Sequence, residues 1–119
     1  MKVIRIDHVQ LAIPPDGEET ARAFYIGVLG LTEVPKPEAM RARGGMWFAE
    51  GIHLGIEEGM RPSVKMHPAL VVSDLAALEA RLRAAHYEFI EAHELPGVRR
   101  GHTRDPFGNR IELVQEAAA

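Results

Sequence analysis

The chain contains no cysteine. This excludes disulfides, thiolate metal sites and a cysteine nucleophile. It also has no excess of positive charge: 14 Lys and Arg stand against 17 Asp and Glu, for a net charge of -3. Nucleic acid therefore has no electrostatic support as a partner. No apolar run approaches membrane-spanning length, and the opening MKVIRIDHVQ has no long apolar h-region. The expectation is a cytoplasmic protein with no membrane partner. What is present, 119 residues with 46% hydrophobic and 26% charged side chains, suits one globular domain or two small halves sharing a core.

Residues 3–13 alternate as a strand, with Val9, Leu11 and Ile13 on one face and His8, Gln10 and Ala12 on the other. Pro14-Pro15 ends it. Asp16 and Glu19 have the spacing of a capping box, and Ala21, Phe24, Tyr25 and Val28 give the helix an apolar stripe. Strands are expected at 31–34, 46–49 and 52–57, with 39–43 ambiguous between loop and strand. Residues 59–65 read as a linker between units 1–58 and 66–119. The pattern then restarts: a strand at 66–72, a helix capped by Ser73 or Asp74, strands at 87–92 and 98–104, and the stretch DPFGNRIELVQ. That stretch is a tight turn followed by an alternating strand in which Ile111 and Leu113 oppose Arg110, Glu112 and Val114.

Strand, helix and three strands thus occur twice. At an offset of 59, His8 falls on His67, Leu11 on Leu70, Phe48 on Phe107, Ile52 on Ile111 and Leu54 on Leu113. His53 falls on Glu112, so each half carries a polar residue early in its first strand and another 45 residues later. The expected fold is α+β: two tandem βαβββ modules related by a pseudo-twofold axis. The apolar sets belong against the helices. His8, His53, His67 and Glu112 belong on the opposite face, where imidazole and carboxylate groups suit a first-row divalent metal. A solvated strand histidine is the alternative for each taken alone. His86 and His93 read as solvated.

The segments IDHVQLAI, ARAFYIGVLGL, GIHLGIE, HPALVVSDL and RDPFGNRIELVQ resemble the vicinal oxygen chelate superfamily of glyoxalase I, extradiol dioxygenases, methylmalonyl-CoA epimerase and the fosfomycin- and bleomycin-resistance proteins. Among these the chain is most similar to the small bacterial glyoxalase-family proteins. The resemblance implies a curved mixed sheet forming a cup around a metal. His8, His67 and Glu112 match the two-His-one-carboxylate ligands, and His53 the fourth ligand position, usually Glu or Gln. It implies a divalent ion (Zn, Ni, Mn or Fe), a small vicinal-oxygen substrate and a homodimer, the ligand pairs meeting either within one chain or across two. Isomerase or lyase chemistry is favoured, with Glu112 as a base. The alternatives are an extradiol-type dioxygenase and a metal-free binding protein of the bleomycin-resistance kind. His102 matches a cavity-facing position and is a candidate acid/base. Gln10 stands where fosfomycin-type enzymes carry Thr and is a candidate substrate contact. Arg100 is either an anion-binding group or a solvated strand end, Trp47 either core or a substrate platform.

Overall fold

The computed structural model describes residues 1–118. Its elements are β1 (Val9–Ile13), α1 (Glu18–Tyr25), β2 (Glu33–Val34), α2 (Glu38–Arg41), β3 (Met46–Phe48), β4 (Ile52–Ile56), β5 (Ala69–Val72), α3 (Leu75–Ala84), β6 (Ile90–Ala92), β7 (Arg100–Arg104) and β8 (Arg110–Gln115). They form two open four-stranded mixed sheets of matching order, β1-β4-β3-β2 and β5-β8-β7-β6. In each, the first strand lies parallel to the last, as a crossover through the rest of the module requires. Gln10 pairs with His53 in one sheet and Ala69 with Glu112 in the other. The offset of 59 between those pairs is the repeat seen in the sequence.

Alternation decides which face is buried. Ile13, Ile52 and Leu54 of the first sheet and Ile111 and Leu113 of the second are buried, together with Phe24 and Tyr25 of α1 and Leu75, Leu78 and Leu82 of α3. All belong to one contiguous core. Each such side chain contributes about 1.5–3 kcal/mol on burial, so both sheets turn their apolar faces and helices toward each other. The junction is also polar. Tyr25 Oη donates to Asp105 Oδ2 at 2.7 Å, Asn109 Nδ2 to the Ala12 carbonyl at 2.9 Å, and Arg81 Nε to the Val28 carbonyl at 3.0 Å.

Several boundaries differ from the sequence reading. The first strand begins at Val9, because β4 offers partners only from Ile52 onward. Residues 1–8 are exposed and lie outside the regular elements. Asp16 takes a φ of 63° and Gly17 occupies the helix N-cap without a side-chain bond, so the capping box does not form. The second helix is capped as expected, Asp74 Oδ1 accepting from the Ala77 N–H at 3.0 Å. α2 settles the ambiguous residues as a single helical turn.

Candidate metal centre

The parallel pairing of β5 with β8, and the antiparallel pairing of β8 with β7, put Glu112 opposite His102 and beside the approach to β5. His67 stands just before β5. Its Nε2 lies 3.0 Å from Glu112 Oε1, and its Nδ1 lies 2.8 Å from the Lys65 carbonyl. A carbonyl only accepts, so Nδ1 donates to it; Nε2 is engaged by Glu112, and a metal would take Nε2 in place of that contact. His102 Nε2 is 3.5 Å from the same Glu112 oxygen, and Arg100 Nη1 is 3.3 Å from the other. His67, His102 and Glu112 each offer a donor atom, all within 4.8 Å of one another. Among the described residues this is the one His/Asp/Glu cluster so arranged.

Burial pushes the Glu112 carboxyl up, but the His67 hydrogen bond and the Arg100 and His102 charges outweigh it and hold the group below the usual carboxylate range. Burial and the charge of Arg110 lower the basicity of His102. At neutral pH the cluster therefore presents an ionised carboxylate and a His102 imidazole biased toward its neutral form, the states that ligate metal.

The first module differs in kind. His8 stacks on His53 with ring centroids 3.9 Å apart, and Trp47 stacks on the other side of His53 at 4.4 Å. Desolvation, then the neighbouring His8, lowers the basicity of His53. His8 Nδ1 lies 2.9 Å from Asp7 Oδ2. Gln10 lies on the same face, its amide filling the space where a Cβ on Gly55 would collide with it. Trp47 is half-buried and stacks on His53, outside the buried core.

The structure brings His67, Glu112, His102 and Arg100 together and, separately, His8, His53, Trp47 and Gln10. The two groups do not merge within the chain. Both apolar sheet faces are committed to the shared core, so both polar faces look away from it.

Two features escaped the sequence reading. His102 is a candidate ligand as well as an acid/base, placed by the β7–β8 register rather than by any motif. Asp105 is a buried hub: it accepts from Tyr25 Oη, Asn109 Nδ2 at 2.8 Å, and the N–H groups of Phe107 and Asn109 at 2.9 and 2.8 Å. The DPFGN stretch showed the turn but not its partner Tyr25, 80 residues away. Beside the cluster a cleft of about 500 Å³ is lined by His102, Arg104, Arg110, Lys65, Tyr87 and Ile90.

Paired modules of this topology, with imidazole and carboxylate groups on the sheet faces opposite the core, define a protein of the vicinal-oxygen-chelate type. The chain belongs to the Glyoxalase/Bleomycin resistance protein/Dioxygenase superfamily, whose family model it matches over residues 5–113. It is similar to a crystal structure of a glyoxalase family protein from Bacillus anthracis, with 42% identity, 98% of each chain covered and a TM-score of 0.91. The fold alone is shared with a genomically encoded fosfomycin resistance protein from Listeria monocytogenes, at 18% identity, 98% and 96% coverage and a TM-score of 0.71. It is shared too with an antibiotic binding protein from Streptomyces sp. CB03234, at 21% identity, 98% and 99% coverage and a TM-score of 0.68. No curated protein matches the chain. Among the described residues, no helix is long and apolar enough to cross a membrane.

Proposed function

We propose that the protein is a divalent-metal-dependent enzyme acting in the cytoplasm on a small substrate with two vicinal oxygens, by isomerase- or lyase-type chemistry. The observation that carries this reading is the His67–His102–Glu112 cluster. Two imidazoles and an ionised carboxylate with donor atoms within 4.8 Å fit a first-row divalent ion. When bound, such an ion acts as a Lewis acid toward substrate oxygens. His67 and Glu112 would hold it. Glu112 would also be the carboxylate base next to a chelated substrate, and His102 would ligate or exchange a proton with the substrate. Arg100, already shared between Glu94 Oε2 at 3.2 Å and Glu112 Oε2 at 3.3 Å, orients the carboxylate. Trp47 and Gln10 would flank the substrate.

His8 and His53 complete a four-residue set only if a second copy presents its first module to this chain's second module. The reading therefore includes a homodimer whose centres are shared between chains.

Metal analysis of chelator-free protein tests the proposal. Stoichiometric metal in the wild type and its loss in Glu112→Ala is the expected result. Wild-type protein that is metal-free and gains no metal on titration with Zn(II), Ni(II), Mn(II) or Fe(II) overturns it. One observation favours a second reading, a metal-free binding module: His67 Nε2 and Glu112 Oε1 already satisfy each other at 3.0 Å. That reading expects a bound aromatic ligand without metal.

A further inference from the structure

We infer that the cleft beside the His67–His102–Glu112 cluster is an anion subsite, in which Arg110 binds a carboxylate or phosphoryl group of the substrate. The inference rests on the function proposed above and adds a substrate class to it.

Cross-strand register places the groups. Ile90 pairs with His102 and His102 with Glu112, so these three share one face of the second sheet. Arg104 pairs with Arg110 two residues further along β7 and β8, and so stands on that face too. Like charges directly opposite each other in an antiparallel pair are unfavourable. No acid relieves these two. Glu112 is engaged by Arg100 and His67. The buried Asp105 is committed to four donors of its own. Glu88 lines the cleft but forms no ion pair with either arginine.

The two arginines differ in what they are free to do. Arg104 Nη1 donates to the Gly108 carbonyl at 2.8 Å, and Nη2 to the Val64 carbonyl at 3.2 Å. It fastens the end of the linker over the β7–β8 turn and so carries Lys65 to the rim of the cleft. Arg110 is half-buried, and among the described residues its guanidinium makes no hydrogen bond or ion pair. A half-buried cation without a partner is unfavourable, and a planar guanidinium with free donors matches an oxyanion through two parallel bonds. Lys65 and Arg104 add charge to the same cleft of about 500 Å³. Apolar walls concentrate such a field. Here they are Tyr87, Val64 and Ile90, the last two 77% and 63% exposed, and a small substrate body would cover them.

The spacing also fits. Two residues along a strand span about 7 Å. A compact molecule with two oxygens at one end and an anionic group at the other reaches from the cluster to Arg110. Arg110 would then select charged substrates over neutral ones and hold the oxygens at the cluster.

Metal-free protein carries the test, because the subsite needs no ion. The probes are benzoate and phenylphosphonate, with benzamide as the neutral counterpart. In amide chemical-shift titrations at least one anion should move the signals of Lys65, Arg104 and Arg110 and bind at least tenfold tighter than benzamide. Arg110→Gln should weaken that anion at least tenfold, and Arg110→Lys should recover most of the loss. The tighter anion assigns the group as carboxylate or phosphoryl. Benzamide binding as tightly as both anions, anion affinity unchanged in Arg110→Gln, or no binding of any probe overturns the subsite. Zn(II) titration separates this from the function proposed above. Arg110→Gln should bind Zn(II) within about threefold of wild type while losing the anion. A wild type that takes up none of the four metal ions but binds the anion through Arg110 overturns the metal reading and keeps the subsite.

Discussion

The two modules share strand order, crossover and register but differ on their polar faces. The second carries a hydrogen-bonded cluster of imidazoles, carboxylate and guanidinium. The first carries a stack of three rings. Two facing positions are exchanged: His53 stands against Glu112, and Trp47, paired with His53, stands against His102, paired with Glu112. With no carboxylate at position 53, His8 and His53 lie face to face, and the nearest acid, Asp7, sits on His8 Nδ1 at the surface. With a carboxylate in that place, His67, His102 and Arg100 all turn toward it. A duplicated scaffold thus supplies two geometrically similar sockets, and the side chains at two facing positions distinguish the polar centre from the ring stack.

The turn before the last strand is the second difference. In the second module Asp105 gathers four donors and ties the turn to Tyr25 of the first module's helix. The corresponding stretch of the first module holds Glu50, which accepts from the Thr32 N–H at 2.9 Å at the surface. Asp105→Ala should therefore have the largest effect on stability, about 3–5 kcal/mol, since it strands buried donors, including the Tyr25 hydroxyl. Glu50→Ala should cost less than about 1 kcal/mol. Urea denaturation of both variants measures the contrast, and equal costs would erase it.

The proposed difference in metal-holding power is tested next. Glu112→Gln keeps the shape but removes the charge, and should weaken divalent-ion binding by about 100-fold or more, roughly 2.7 kcal/mol. His53→Gln, its counterpart, should cost no more than about 10-fold. Calorimetric titration with Zn(II) or Mn(II) separates them. A sharper version compares His8→Ala with His102→Ala. A centre shared between chains loses affinity with His8→Ala, whereas a centre built from the second module alone loses it only with His102→Ala.

The smallest effect concerns the surface of the first module. Arg22 Nε donates to Glu33 Oε1 at 2.9 Å and Nη2 to Oε2 at 3.0 Å. That hydrogen bonding outweighs burial and holds the Glu33 carboxyl below its ordinary value of 4.5. Because the folded-state value is the lower one, the pair stabilises the fold above pH 4.5, and this contribution fades as pH falls through the depressed value. For so exposed a pair it is at most about 1 kcal/mol. Glu33→Gln should flatten the acid side of the stability–pH profile without moving the neutral plateau, as thermal melts across pH 3–6 would show.

Much of the fold was legible before any coordinates. Val9, Leu11 and Ile13, with Ile111 and Leu113, alternate cleanly because each strand has one apolar face. Asp74 announces its helix because an N-cap is a local interaction. His67 and Glu112 were placed together because their spacing recurs in a duplicated unit. Residues 3–8 read as strand for the same local reason, since propensity registers a strand whether or not a partner strand is present, and here the strand begins only at Val9. The place of His102 beside Glu112 was less visible, because a hairpin register, not a motif, sets it there.

The sequence by itself therefore determined the elements, their duplication, the buried faces and the face on which His8, His53, His67 and Glu112 stand. These follow from periodicity and from contacts within a few residues. Only the tertiary structure decided that the two pairs stay apart in one chain, that His102 joins the second pair, and that Asp105 ties the halves together. The reason is that helices and apolar faces from both modules compete for one shared core. Burying them there turns the polar faces outward, a consequence of packing between distant segments that no local pattern records.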